Sequence, residues 1–325
     1  MKVEAVMFGI SETHKPARAG RGGTYVTRET TGSGPCQSAY VSACVNGAAE
    51  RPTAGTTRTK ESDMKYADAG GVQIAYDDRG PRADTAVLCL PGWVLNRGFF
   101  APVAERLGAR HRVITLDWRG HGDSGRPPKD FGHQELADDA MAVIEASGVG
   151  RIVPVSQAHG GWVAVELRRR LGDRVEKIVA SSWLVLDPPP PFVAALEAAQ
   201  DPERWRQARE QLFSMWLTGA PQGVIEDVRR EMGAYDFDIW SRAGRAIMAD
   251  YARHGNPLRA LAEIDPKPNI LHLFSQPRAP EFLAAQETFS AANPWFSVKR
   301  LDGVSHFPPL EIPDVTAAEI DRFIG

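Results

Sequence analysis

The stretch that most constrains the fold runs from Arg151 to Leu171, "RIVPVSQAHGGWVAVELRRRL". An apolar run centred on Ile152–Val155 leads into Ala-His-Gly-Gly, and an apolar pattern of helical period follows at once. A short apolar run bounded by glycine reads as a buried strand, so the chain must pass from strand to helix through a tight turn. The frame Ser156-Gln157-Ala158-His159-Gly160 has the spacing of the G-x-S-x-G elbow, which holds a nucleophilic serine on a sharp strand-to-helix turn. Here Ala158 puts a methyl group at the nucleophile position. Gly160 and Gly161 allow the close backbone approach that such a turn needs.

The rest of the chain from Met64 fits the same grammar of short apolar runs alternating with helical windows, the signal for a mostly parallel sheet. Gly71–Asp78, Thr85–Gly92, Arg112–Gly120, Lys177–Trp183, Asn269–Ser275 and Phe296–Gly303 read as further strands. Helical patterns cover Phe99–Leu107, Gln134–Ser147, Gly161–Leu171, Glu281–Ala291 and Asp314–Ile324. The alternation breaks once, between Asp187 and His254, where only helical pattern occurs, rich in aromatics such as Trp205, Trp216 and Trp240. A helical insert followed by resumption of the sheet is the cap of an α/β-hydrolase fold. The expected class is therefore α/β, with a mostly parallel central sheet flanked by helices and capped by residues 187–256. Residues 64–186 and 257–325 form the two parts of the core. Such caps cover the carboxyl edge of the sheet, where ligands bind.

Residues 1–63 differ, being rich in Gly, Thr, Ser, Arg and Pro with little periodic apolar pattern. That composition buries too little surface to offset chain entropy, and the segment reads as a disordered extension. Over the whole chain, 43% apolar and 24% charged residues suit a soluble globular protein, and a net charge of -3 points to neither nucleic acid nor an anionic membrane as partner. No run of about 18 apolar residues is present to span a bilayer. The three cysteines, Cys36, Cys44 and Cys89, lack C-x-x-C spacing, which disfavours a zinc site or disulfide scaffold and suits a reducing cytoplasm.

Three strand ends carry the candidate chemistry. Gly92 and Trp93 follow the strand Val87–Leu90, where one backbone donor of an oxyanion hole is placed, and the N–H of His159 is the other. His306 follows the last strand, in "DGVSHFPP". Two converging N–H groups stabilise developing negative charge with or without a nucleophile. Ser156 lies two residues early and is expected to point elsewhere. His121, in "DWRGHGDS", is expected to be structural. An acid partner for His306 is missing from the two usual places: Ser181-Ser182-Trp183 follows one strand and "SQPRAP" another, while Asp187 and Asp302 lie off-position.

With these residues in hand, "LPGW", "WRGHG", "HGGWVAVEL", "DPERWR", "FSQP", "NPWFS" and "SHFP" together resemble the cofactor-independent 3-hydroxy-4(1H)-quinolone 2,4-dioxygenases, from Met64 to Gly325. The resemblance implies an α/β-hydrolase fold and ring opening of a 2-alkyl-3-hydroxy-4(1H)-quinolone by dioxygen. Carbon monoxide and an N-acylanthranilate are released, with no metal, flavin or other cofactor. It implies His306 as general base, with Trp93 and His159 supplying the oxyanion site. It implies a substrate pocket drawing on Ala158, Gln157, Leu95, Ser182, Trp183 and Trp216. The family's elbow serine falls at Ala158, its orienting acid at Ser182, and a histidine of one relative at Leu95. A hydrolase must have the serine because it is acylated. A deprotonated hydroxyquinolone reduces dioxygen itself and needs only a base and a shaped pocket. The implied partners are thus the quinolone and dioxygen. Two other readings remain: a pseudoenzyme that binds a flat aromatic ligand, and an esterase or lactonase.

Overall fold

Near-continuous burial of short β-branched and leucine-rich runs sets the core of the computed structural model, which describes residues 64–325. The amino-terminal extension, with Cys36 and Cys44, lies outside the described residues. Eight strands occur in chain order: β1 (Lys65–Asp68), β2 (Gln73–Arg79), β3 (Thr85–Leu90), β4 (Arg112–Leu116), β5 (Arg151–Gln157), β6 (Lys177–Ser181), β7 (Asn269–Phe274) and β8 (Phe296–Arg300). They lie in the order β1-β2-β4-β3-β5-β6-β7-β8, with β1 and β2 antiparallel to their neighbours and the remaining pairs parallel. The central strands are covered on both faces, which is why they read as unbroken apolar runs. The edge strand β1 escaped the sequence reading because "KYAD" buries a single residue. Gly70 and Gly71, both at positive φ, turn the chain from β1 into β2, so β2 starts two residues later than its sequence window.

The helices are α1 (Ala101–Leu107), α2 (His133–Ser147), α3 (Gly161–Leu171), α4 (Pro190–Ala199), α5 (Trp205–Trp216), α6 (Gln222–Gly233), α7 (Phe237–His254), α8 (Pro257–Ala262), α9 (Pro280–Ala292), α10 (Pro308–Glu311) and α11 (Pro313–Ile324). Proline in the first turn opens α4, α8, α9 and α11, where its missing N–H costs nothing. Helix α2 starts with the Glu135 carboxylate accepting from the Gly132 N–H (2.8 Å), and Gly148 ends it in the left-handed region. Helices α4 to α8 fill the interval between β6 and β7. They enclose an apolar interior of their own in which Phe213 packs edge-on to Trp240 at 5.9 Å.

The site's position follows from topology. Strand β3 pairs with β4 on one side and β5 on the other, so the chain reverses its winding direction there. A crevice opens at such a switch point, at the carboxyl ends of the strands.

Candidate active site

Register brings the strand ends level: Leu90 pairs with Ser156, Gln157 with Ser181, and Ser181 with Leu273. The loops leaving β3, β5 and β6 therefore stand side by side. Each contains one of the three non-glycine residues at positive φ among the described residues: Val94 (+56°), Ala158 (+46°) and Ser182 (+48°). Left-handed backbone is costly for any residue with a Cβ and more so for a β-branched one, and it persists only where the surroundings impose it. Those surroundings are visible. The N–H of Val94 donates to His121 Nε2 (3.3 Å), and the N–H of Ser182 to the Leu273 carbonyl (2.7 Å). At the elbow, a Cβ on Gly160 would lie 2.6 Å from the Pro91 carbonyl oxygen, and one on Gly161 2.4 Å from the Trp183 ring. The glycines let α3 start against the end of β3, and that close approach forces Ala158 into its turn.

The elbow geometry is thus intact without its serine. Ser156 is no substitute, because its Oγ donates to the Val179 carbonyl inside the sheet (3.3 Å). Across from the elbow, Gly92 approaches so closely that an added Cβ would sit 3.7 Å from the Ala158 Cβ and 3.4 Å from Leu95 Cδ1. Among the described residues neither the Trp93 N–H nor the His159 N–H has a hydrogen-bond partner. The His159 ring is stacked on Phe192 (5.7 Å between centroids) and meets Tyr251 edge-on. Burial, with lesser contributions from His133 and His306, holds it neutral.

His306 is placed without any side-chain hydrogen bond to its ring among the described residues. Its peptide is gripped on both sides instead. The N–H donates to the Trp216 carbonyl (2.9 Å), and the carbonyl accepts from Gln157 Nε2 (2.9 Å). Its ring lies nearly parallel to Trp216, with centroids 5.4 Å apart. The loop before it is tied by Glu311, whose carboxylate accepts from the Val304 N–H (2.8 Å), the Ser305 N–H (2.7 Å) and the Ser305 hydroxyl. Burial alone lowers the His306 pKa to about 4, so the ring is a neutral acceptor at neutral pH. An imidazolium formed there would lie against the electron-rich Trp216 face.

Among the described residues, no carboxylate is hydrogen-bonded or ion-paired to that ring. Asp187 accepts from Asn256 Nδ2 (2.7 Å) beside the cap, and Asp302 is exposed. Ser182, at the position where an acid was sought, is buried with its hydroxyl unpartnered, as are Gln157 Oε1 and His159 Nδ1. Trp183 turns under the first turn of α3 and packs against Trp162 (5.1 Å), in the core rather than beside His306. Among the cap tryptophans, Trp216 meets His306 and Trp240 faces the cap interior. His121 donates from Nδ1 to the Arg119 carbonyl (3.0 Å) and accepts at Nε2, a structural strut whose pKa burial lowers to about 4.

Sequence reasoning missed the residues that hold these groups: Glu311 under the histidine loop, Phe192 and Tyr251 around His159, and His133, which accepts from the Trp93 indole N–H (2.9 Å). None carries a spacing signal, since each arrives from a separate element. Among the described residues no cluster of three or more His, Cys, Asp or Glu is placed to hold a metal, and no helix is long and apolar enough to cross a membrane.

Comparison with known proteins now adds to this geometry. Residues 87–319 match the model of the alpha/beta hydrolase family. The chain is 40% identical to the 2-heptyl-3-hydroxy-4(1H)-quinolone dioxygenase of Mycobacteroides abscessus, over 78% of this chain and 96% of that protein. It is 34% identical to the 1H-3-hydroxy-4-oxoquinoline 2,4-dioxygenase of Pseudomonas putida, over 80% and 99% respectively. The solved structure of AqdC with its product, from work on ring cleavage of the Pseudomonas quinolone signal, superposes with a TM-score of 0.77 at 39% identity. That match covers 80% of this chain and all of the other.

Proposed function

Because the chain belongs to the alpha/beta hydrolase family, and within it to the 3-hydroxy-4-quinolone 2,4-dioxygenases, we propose that it opens the ring of a 2-alkyl-3-hydroxy-4(1H)-quinolone with dioxygen. Carbon monoxide and an N-acylanthranilate leave. One oxygen atom goes to C2 as the amide carbonyl and the other to C4 as the carboxylate, and C3 departs as carbon monoxide after its bonds to C2 and C4 break.

The observation that carries this reading is His306, a half-buried imidazole held neutral, on the loop tethered to the elbow residue Gln157 beside a turn that holds no nucleophile. It takes the 3-hydroxyl proton. The resulting substrate anion is the counter-charge that the imidazolium otherwise lacks. The electron-rich anion reduces dioxygen, and the peroxide formed at C2 attacks C4. The N–H groups of Trp93 and His159 stabilise the C4 oxyanion. Pinning the reacting atoms supplies the remainder by turning collision into an internal step. Ala158, Gln157, Leu95, Ser182 and Trp216 border the substrate in this scheme, with Trp216 also backing the base. A cytoplasmic location belongs to the same proposal, supported by the absence of C-x-x-C spacing.

The test is aerobic incubation with 2-heptyl-3-hydroxy-4(1H)-quinolone, with carbon monoxide and labelled oxygen followed together. Stoichiometric carbon monoxide, with two labelled oxygen atoms in the acylanthranilate, is the expected result. Tight quinolone binding without consumption in air would leave only the binder reading, which the Ser182 substitution at the acid position favours. Hydrolysis of p-nitrophenyl esters would point to the esterase reading.

A further inference from the structure

Trp93 is held by a side-chain relay that none of the roles assigned so far explains. Its indole N–H donates to His133 Nε2 (2.9 Å), and His133 Nδ1 is paired with the Asp250 carboxylate. His133 is the first residue of α2, whereas Asp250 sits in the last turns of the cap helix α7. A second line reaches Trp93 from the same helix. The Arg242 guanidinium lies over the Phe131 ring (4.5 Å), and Phe131 stacks on Trp93 (5.6 Å, 11° between planes). Residues 131 and 133 thus relay two points of α7 onto one tryptophan.

Proton accounting fixes what His133 can do. An indole nitrogen only donates, so His133 Nε2 must carry the lone pair and Nδ1 the proton, which lies against the Asp250 carboxylate. Both ring nitrogens are committed and the side chain is buried, so His133 has no free position from which to exchange a proton with a substrate. It is not a second base. What it can do is set the indole plane, while His121 pins the next peptide through the Val94 N–H. Residue 93 is clamped at its side chain and at its following peptide, and the direction of its free N–H is fixed between the two.

We propose that His133 and Asp250 are positioning residues, through which the cap helix α7 orients Trp93 and the oxyanion donor on its backbone. The donor role rests on the reading given under Proposed function; the orientation of the indole does not. Such supports matter because small misplacement of a catalytic group costs rate out of proportion to the distance moved.

The experiment uses the full chain with ¹⁵N-tryptophan, taking the Trp93 indole N–H resonance from its loss in Trp93→Phe, together with quinolone turnover. His133→Leu should move that resonance upfield and lower kcat about tenfold with KM within about twofold, less than the ~10²–10³-fold loss on removing an oxyanion donor outright. Asp250→Leu should move the resonance in the same sense and lower kcat about threefold, while Asp250→Asn, whose carboxamide oxygen still accepts from Nδ1, restores both. An unchanged indole resonance in His133→Leu overturns the relay, as does Asp250→Asn behaving like Asp250→Leu. An unchanged kcat alongside a shifted resonance overturns the link to catalysis. If His133→Leu does not fold, the two Asp250 variants decide alone. If the unaltered protein consumes no quinolone, the functional reading falls, and the resonance still judges the relay.

Discussion

Two histidines, His133 and His306, are built on opposite plans. His133 commits both ring nitrogens, one to Trp93 and one to Asp250, and sits in a chain of polar contacts that runs out to the cap. His306 commits neither to a side chain among the described residues; its peptide is tethered and its ring lies on Trp216. A histidine with both nitrogens engaged is a strut, and one with free nitrogens can receive a proton. The contrast also explains why the acid position can be occupied by Ser182. Where backbone tethers and stacking fix the ring, a carboxylate is needed only for charge, a role the substrate anion fills in part in the proposed scheme.

The contrast breaks most decisively at His306. Replacing it with alanine should lower kcat about 10²–10⁴-fold, the range for a general base, with the fold retained by circular dichroism. Residual activity within about threefold of the unaltered protein would place the base elsewhere and erase the difference between the two histidines.

Ser182→Asp sharpens the comparison by giving His306 the charge partner it lacks. Asp tolerates left-handed backbone better than Ser, and kcat/KM should rise about tenfold. The pH profile separates this from a packing effect. With His306 at about 4, the unaltered protein keeps its neutral base, and its kcat/KM, down to about pH 4. A neighbouring carboxylate favours the imidazolium, so the acid limb of the variant should move up. An unmoved limb would mean that residue 182 does not face the base.

Stability against pH reads buried groups of both signs. The folded-state pKa values of His306, His121 and His272 are lowered by burial from 6.5 to about 4. The unfolded chain therefore binds more protons between these values, and these groups make stability rise with pH across that window. Glu231, half-buried where it accepts from the Asn96 N–H on the Trp93 side, is raised from 4.5 to about 7 and acts in the opposite sense, lowering stability as pH rises across that interval. Glu231→Gln should make Tm climb more steeply between about pH 4.5 and 7. A slope unchanged by the substitution would show that Glu231 is solvated.

The smallest effect is expected at the elbow. Ala158→Ser should change quinolone turnover by no more than about threefold and produce no burst with p-nitrophenyl acetate, because a serine there faces a base without an acid to support its imidazolium. Acyl-enzyme formation would show that one methyl-to-hydroxymethyl change separates the two chemistries.

Much of the fold was legible because its signals are local. The runs at β3 to β8, the first-turn prolines and the glycines of the elbow each act over a few residues, and the aromatic, strand-free interval marked where the cap helices lie. The missed strand β1 is too short and too polar to carry a pattern. At the site, the sequence pointed to Trp93, His159 and His306 by their places after strands, and to the absence of an acid beside Ser182. Spacing alone could not separate Trp216 from Trp240, which only the resemblance distinguished, nor Ser182 from Trp183, since adjacent or similarly spaced aromatics and hydroxyls look alike until packing assigns their faces.

What the sequence determined by itself is that a strand–turn–helix occurs at Ala158, signalled by its apolar runs and glycines, and with it the loss of a covalent nucleophile. Only the tertiary structure decided how the remaining groups are held. Gln157 reaches His306 across 149 positions of chain, and Asn96 meets Glu231 across 135. Trp93 meets Asp250 through His133. Such contacts leave no periodicity to read, because a hydrogen bond between distant elements depends on where the sheet and cap bring them and not on spacing along the chain.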